Sequence, residues 1–209
     1  LSKRIGKSKV IWRYDPIIYT KTMDIEYHTE KFGMIADQLS ESTEQCIISF
    51  IDNYSKTERN MKNIPQENLN SEIMLRIGER FAEIGARNHL KISTCSEVVD
   101  LSRVGIQHAK CIDDRLISNI TGQALHIDKD KNQRAECGCV ASIDIGAYNT
   151  CKHGCLYCYA NFSETAMLNN VRKHDKNSPL LIGNVMLEDK ITERKMETYI
   201  KSQMILPFE

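Results

Sequence analysis

The stretch CIISFID (46–52) is an almost continuous run of apolar residues that ends in an aspartate. A short run of this kind is typical of a strand buried on both faces of a parallel sheet, because such a strand has no solvent-facing side that would need polar residues. The stretch therefore predicts a parallel sheet at the centre of an α/β protein.

Two further strands are predicted on either side of this stretch along the chain. KVIWRYDPI (9–17) is rich in β-favouring residues and closes with Asp15 and Pro16, and LKISTC (90–95) is a third short run. The three strands lie roughly forty residues apart, which is the rhythm of right-handed βαβ crossovers.

A helix is predicted between each pair of strands, because apolar residues recur there at spacings of three and four. In the first segment the face consists of Ile25, His28, Phe32, Ile35 and Leu39, and in the second of Leu69, Ile73, Ile77, Phe81 and Ile84. The histidine on this face is interpreted as a core or interface residue.

The pattern divides the chain into two parts. Residues 1–110 are predicted to form a βαβαβ part of an α/β, TIM-like (β/α) barrel with parallel strands, and an open sheet is the alternative. Residues 111–209 are predicted to be an irregular, cysteine-rich extension that ends in a charged, helical tail. The chain begins LSKRIGKSKVIW without an initiator methionine, which suggests a fragment that lacks an N-terminal portion.

The charge balance excludes some classes of partner. Lys plus Arg and Asp plus Glu are 28 each, so no global positive field recruits nucleic acid or an anionic membrane surface. No apolar run is long enough to span a bilayer, and no signal-peptide pattern opens the chain. We therefore expect a cytoplasmic protein that acts on a small molecule or another, unidentified substrate.

Polar residues stand where the predicted strands end. Asp15, Asp52 and Cys95 each do so, and the carboxyl ends of parallel strands form the face that carries the site in α/β folds. Arg13 and Asp15, which flank Tyr14, are candidates to bind the carboxylate or ribose of a cofactor, and an internal ion pair is the alternative. For the aspartates, a helix cap or turn is the simpler interpretation.

The stretch YNTCKHGCLYCYAN (148–161) places Cys151, Cys155 and Cys158 in a Cys-x3-Cys-x2-Cys spacing. Three thiolates so spaced can bind one face of a compact cluster, and Gly154 permits a sharp turn between them. Soft sulfur ligands select an iron–sulfur cluster or zinc over hard cations. With only three ligands, one metal position stays open for a substrate or cofactor.

This spacing, with Tyr157 before the last cysteine, resembles the signature of radical S-adenosylmethionine enzymes. The resemblance implies a [4Fe-4S] cluster whose unique iron binds S-adenosylmethionine, and an electron donor such as a flavodoxin or ferredoxin. Cleavage of the sulfonium would then yield a 5′-deoxyadenosyl radical. Tyr157 and Tyr159 could stack on the adenine or shield the cluster from water. His153, inside the motif, is interpreted as a solvated loop residue.

Longer stretches carry a second resemblance. IWRYDPI (11–17), CIISFIDNY (46–54), KCID (110–113) and CGCVASIDIGAYNTCKHGCLYCYAN (137–161) together resemble a bacterial family of unknown function that has such a cysteine cluster near its C-terminus. The resemblance covers most of the chain and implies a cofactor but no substrate. Unlike most radical S-adenosylmethionine enzymes, the chain has no evident Gly-Gly-Glu-type motif, and only 51 residues follow Cys158.

Four further cysteines form a second candidate set: Cys95, Cys111, Cys137 and Cys139. Four thiols suffice for a closed auxiliary iron–sulfur cluster or a four-thiolate zinc site. The remaining cysteine, Cys46, lies inside the apolar run and is interpreted as a small buried hydrophobe. Two other functions stay open, namely a zinc-stabilised, non-catalytic binding module and an iron–sulfur electron carrier without S-adenosylmethionine chemistry.

Overall fold

The computed structural model describes residues 1–52 and 55–200, so the last two residues of CIISFIDNY lie outside the described residues. In chain order its helices and strands are α1 (Ser2–Ile5), β1 (Ile11–Ile17), α2 (Ile25–Leu39), β2 (Gln45–Phe50), α3 (Ser55–Met61), α4 (Ser71–Arg87), β3 (Lys91–Cys95), β4 (Gln107–Ala109), α5 (Asp114–Thr121) and α6 (Glu164–Arg172). Short 3-10 turns lie at Lys7–Lys9 and Ser102–Val104.

The chain forms two compact units, and each is built from separate stretches of sequence. The first unit contains Leu1–Ile51, Gln66–Ser142 and the segment that begins at Thr198. The second contains Asp52–Pro65 and Ile143–Glu197. The predicted domain boundary after residue 110 falls inside the first unit.

The first unit contains a four-stranded sheet in which every neighbouring pair is parallel. The strand order is β1-β2-β3-β4, so consecutive strands lie side by side. The predicted α/β class with parallel strands is therefore confirmed. Within the described residues the sheet is open rather than closed into a barrel, because β1 and β4 form its two edges.

Helices α2 and α4 pack against one another and cover one face of the sheet. Each begins at a side chain that accepts a backbone N–H of its first turn: Asp24 accepts from Tyr27 at 2.9 Å, and Asn70 from Ile73 at 2.9 Å. Between the helices the rings of Phe32 and Phe81 stack with centroids 3.8 Å apart. The helices predicted from apolar spacing are thus confirmed, and they begin where capping residues stand.

The side chains of β2 alternate between the two faces of the sheet. Cys46, Ile48 and Phe50 belong to the core beneath the helices, as expected for the buried cysteine. Ile47 and Ser49 point to the opposite face, because successive residues of a strand do so. In register with Ile47 lies Arg13 of β1, so that face carries polar groups.

Two segments differ from the sequence-based expectation. The strand β4 was not predicted, because three residues are too few to show an alternating pattern. The predicted helix in the C-terminal tail is absent from the described residues 184–200. There Leu187 and Ile191 are exposed, and a short helix without a packing surface is marginal in water. None of the described helices is both long and apolar enough to cross a membrane.

Candidate functional site

A polar cluster lies on the face of the sheet opposite α2 and α4 in the first unit. Arg13 forms an ion pair with Asp15, with Nε and Nη2 at 3.0 and 2.5 Å from Oδ2. Ser49 of β2 donates its hydroxyl to the same carboxylate. The guanidinium also donates to Cys111, with Nη1 at 3.1 Å from Sγ. Both candidate cofactor ligands therefore have partners within the protein, and cofactor binding by them stays a prediction.

Cys111 also contacts Cys95, the last residue of β3, and the two sulfur atoms are 2.7 Å apart. The hydrogen bond from Cys95, and then the one from Arg13, lowers the pKa of Cys111 to about 6. The same hydrogen bond, together with partial burial, raises the pKa of Cys95. The pair shares one proton, so a thiolate that can bind a soft metal or act as a nucleophile lies beside a cation.

Cys137 and Cys139 belong to the same cluster. Burial, and then the nearby thiols of Cys137 and Cys111, raise the pKa of Cys139, although the backbone N–H groups directed at its sulfur work in the opposite direction. Its sulfur also accepts the backbone N–H groups of Cys111 and Ile112 at 3.2 and 3.4 Å. The four cysteines of the predicted second set therefore lie near one another, and Cys95 and Cys111 are in direct sulfur–sulfur contact.

Ser96 follows Cys95 and has an unusual environment. Its φ of 56° lies in the left-handed region, which a serine adopts at an energetic cost. Its hydroxyl is buried, and it has no hydrogen-bond partner among the described residues. Buried polar atoms of this kind are uncommon and mark positions where a ligand or ordered water commonly bonds.

The loop with the three motif cysteines lies in the second unit. Cys151 and Cys155 are exposed and Cys158 is half-buried, while Gly154 turns the chain with a φ of 66°. His153 is exposed, as expected for a solvated loop residue. In the described part of the chain, no group of three or more His, Cys, Asp or Glu side chains is arranged so that it could hold a metal ion as it stands.

Asn149 closes the base of this loop. Its backbone N–H donates to Ala160 O at 2.9 Å, and its buried side-chain oxygen accepts the N–H groups of Phe162 and Ser163 at 2.9 and 3.1 Å. Its φ of 54° is left-handed, a region where asparagine is enriched among non-glycine residues. This residue therefore holds together the two ends of the segment that carries all three cysteines.

An open cleft of about 770 Å³ in the second unit adjoins the loop. Its lining residues are Asn60, Cys151, Lys152, Gly154, Cys155, Leu156, Asn161, Phe162, Ser163, Glu164 and Met167. The volume lies within the range of roughly 300–1,000 Å³ typical of sites for small ligands and cofactors. Two of the three motif thiols thus face a space that can take a cofactor.

The two predicted tyrosines differ in their contacts. The hydroxyl of Tyr157 donates to the carbonyl oxygen of Asp52 at 2.9 Å and accepts its N–H at 3.2 Å, so this tyrosine anchors the loop within the second unit. Tyr159 is largely exposed. Stacking of either ring on an adenine stays a prediction.

Two residues of the site were missed in the sequence. Ser49 could have been identified from strand alternation, because it has the opposite parity to Cys46 and Ile48. Asn149 could be suspected only as a polar residue beside the motif, since its partners Phe162 and Ser163 depend on the folded loop.

Comparison with known proteins gives a family but no activity. Residues 1–160 match the family model described as "Domain of unknown function (DUF1848)", and the matched region contains all eight cysteines. No curated protein and no solved structure matches the chain.

Proposed function

The chain belongs to this family of unknown function, and we propose that it is an iron–sulfur enzyme of radical S-adenosylmethionine type that acts on an unidentified substrate. The observation that carries the proposal is the cleft of about 770 Å³ lined by Cys151 and Cys155 of the Cys-x3-Cys-x2-Cys loop. In this proposal Cys151, Cys155 and Cys158 hold a [4Fe-4S] cluster.

The donor chemistry of the loop fits such a cluster. Thiolates are the usual protein ligands of iron–sulfur clusters, and three of them leave one iron available to a small molecule. The loop is exposed and turns at Gly154, so side-chain rotation can bring the thiols together without displacing a packed core. Asn149 limits that freedom by fixing both ends of the loop.

The remaining lining of the cleft suits an amino-acid-bearing nucleotide. Lys152 and Glu164 offer one cation and one anion, which complement the carboxylate and ammonium groups of a methionine moiety. Phe162 and Leu156 provide apolar surface for an adenine. These residues bind and orient S-adenosylmethionine in our proposal.

The bound cluster would supply one electron for reductive cleavage of the sulfonium carbon–sulfur bond of S-adenosylmethionine. An external one-electron donor, such as a flavodoxin or ferredoxin, would be oxidised by one electron for each cleavage. The products would be methionine, which keeps the sulfur and its electron pair, and 5′-deoxyadenosine, whose added hydrogen atom comes from the substrate. In this chain Cys151, Cys155 and Cys158 would hold the cluster, and Lys152 and Glu164 would orient the methionine moiety.

We also propose that the parallel sheet is part of a TIM-like barrel. The sequential order β1-β2-β3-β4 is the order of consecutive strands around a TIM-like barrel, so we assign the sheet to an arc of such a barrel. The polar cluster of Arg13, Asp15 and Ser49 would then lie near the carboxyl ends of the first two strands, the end of the barrel at which that fold carries its sites.

The test is formation of 5′-deoxyadenosine from S-adenosylmethionine by the dithionite-reduced, anaerobically reconstituted protein. We expect product from the wild type and from Cys46→Ala, which changes only a core cysteine, and none from Cys151→Ala, Cys155→Ala or Cys158→Ala. A reducible cluster that never cleaves S-adenosylmethionine would favour an electron carrier. Stoichiometric zinc without iron would favour a zinc-stabilised binding module.

A further inference from the structure

Four cysteines from distant parts of the first unit meet at the carboxyl end of its sheet. Cys95 ends β3, Cys111 comes two residues after β4, and Cys137 and Cys139 arrive from a later segment. The sulfur atoms of Cys95 and Cys111 are 2.7 Å apart. The sulfur of Cys139 lies 3.2 Å from the backbone nitrogen of Cys111, and Cys137, two residues before Cys139, is buried as well. Four thiols gathered from three segments form a donor set for a soft metal.

We propose that these four cysteines form a closed, four-thiolate site for a single zinc ion. Around one zinc with Zn–S bonds near 2.3 Å, tetrahedral sulfurs lie about 3.8 Å apart. A [4Fe-4S] cluster attaches each thiolate to a different iron and needs the sulfurs farther apart. Among the described residues no group of three or more His, Cys, Asp or Glu side chains can hold a metal ion as it stands, so admission of zinc requires the thiols to rearrange, with Cys95 and Cys111 separating by about 1 Å from their present contact.

Hydrogen-bond donors are directed at two sulfur atoms of the proposed site. Two backbone N–H groups, those of Cys111 and Ile112, point at the sulfur of Cys139. The guanidinium of Arg13 donates to the sulfur of Cys111. A zinc ion with four thiolates carries a net negative charge, and N–H groups and a cation directed at the sulfurs compensate for it.

The segment that carries Cys111, Cys137 and Cys139 has very few buried side chains. From residue 107 to residue 142 only Cys137, Cys139 and Val140 are buried, and α5 buries none of its side chains. Backbone hydrogen bonds join the segment at Val140 N to Ile112 O, 3.2 Å, and at Asp130 N to Cys139 O, 3.0 Å. So small an apolar core is typical of regions that a structural metal stabilises.

The end of β3 supports the assignment independently. Ser96, next to Cys95, combines a left-handed backbone with a buried hydroxyl that has no partner among the described residues. A strained backbone of this kind is kept only where the surrounding contacts hold it in place, as they do beside a bound group. The zinc site lies within the first unit, so it does not rest on the function proposed for the cysteine loop of the second.

The experiment uses the full chain with Cys151, Cys155 and Cys158 replaced by serine, which removes the loop ligands. We expect about one zinc and no iron per purified chain by elemental analysis. In this background Cys111→Ser, at an exposed position, should reduce the zinc content to near zero, whereas Cys46→Ala should leave it unchanged. Replacement of zinc by cobalt(II) should give the visible absorption of a tetrahedral thiolate complex, and Cys111→Ser should abolish it.

Three outcomes would overturn the zinc site. The first is a parent variant without stoichiometric zinc, and the second is a zinc content that Cys111→Ser does not change. The third is iron with sulfide in the parent, which would assign the four thiols to a cluster. If the parent lacks metal and its mass shows the loss of two hydrogens, a disulfide between Cys95 and Cys111 replaces the proposal. Because the parent has no loop cysteines, none of these results depends on the function of that loop.

Discussion

His28 lies on the apolar face of α2 and is buried. Its Nδ1 is 2.9 Å from the hydroxyl of Tyr14, and its Nε2 is 2.9 Å from the carbonyl oxygen of Ile18. The expectation of a satisfied core histidine is therefore confirmed. Burial lowers its pKa below the ordinary value of 6.5, although the bond to Ile18 and the charge of Asp24 work in the opposite direction.

This shift predicts how stability depends on pH. Because the folded pKa of His28 lies below 6.5, the unfolded chain takes up the proton first as the pH falls. The contribution of His28 to the free energy of unfolding is complete above about pH 7, begins to decline as the pH approaches 6.5, and is lost by the time the pH falls through the lower, folded pKa. Denaturant unfolding between about pH 7 and pH 5 measures it.

The matched variants are His28→Gln and His126→Gln, the second at an exposed position. We expect His28→Gln to flatten the decline in stability over this pH window and His126→Gln to retain it. An unchanged slope in His28→Gln would assign the pH dependence to other groups.

The packing of α4 against β3 depends on a glycine. A Cβ at Gly85 would lie 2.6 Å from Cγ1 of Ile92 and 2.9 Å from the carbonyl oxygen of Leu90. We therefore expect Gly85→Ala to reduce the free energy of unfolding by about 1–3 kcal/mol. Denaturant unfolding is the measurement.

Gly33 in α2 is the matched control, because its Cβ would meet only Cδ1 of Ile84 at 3.8 Å, an ordinary contact. Gly33→Ala should be neutral or stabilise the protein by up to about 1 kcal/mol, as alanine is the better helix former. Equal stability losses in the two variants would contradict this packing.

The loop of the second unit provides a prediction about cluster loading. Asn149→Ala removes the acceptor of two backbone N–H groups and places a left-handed φ on alanine. The two part-buried hydrogen bonds contribute roughly 0.5–1.5 kcal/mol each, so the loop should bind its cluster about tenfold more weakly. Iron and sulfide per chain after anaerobic reconstitution measure this effect.

Asn149→Asp keeps the accepting oxygen and is the control for the alanine variant. It should load more iron than Asn149→Ala. Full loading of Asn149→Ala would mean that this hydrogen-bonded closure is not needed for cluster binding.

The sequence predicted the helices and strands in which apolar residues recur at regular spacing, and it missed those without such a repeat. β1, β2, β3, α2 and α4 carry apolar repeats, and each was predicted close to its observed bounds. The three-residue β4 has no readable period. Spacing also could not show that Cys95 and Cys111 touch, because the contact depends on adjacent strands of the folded sheet.

At the level of the whole molecule, the division into units was not readable from the sequence. The second unit joins Asp52–Pro65 to Ile143–Glu197, and no local pattern signals such a long-range pairing. The match over residues 1–160 includes cysteines from both units, so both cysteine sets belong to the same family region. One set is an exposed loop beside a cleft, and the other is a contact cluster at the end of the sheet.

The most direct measurement is the iron, sulfide and zinc content of the reconstituted chain, with an EPR spectrum of the dithionite-reduced protein with and without S-adenosylmethionine. An open-site cluster on Cys151, Cys155 and Cys158 predicts about four irons and four sulfides per chain and a spectrum that S-adenosylmethionine perturbs. A colourless protein that contains zinc and no iron would contradict the proposed enzyme.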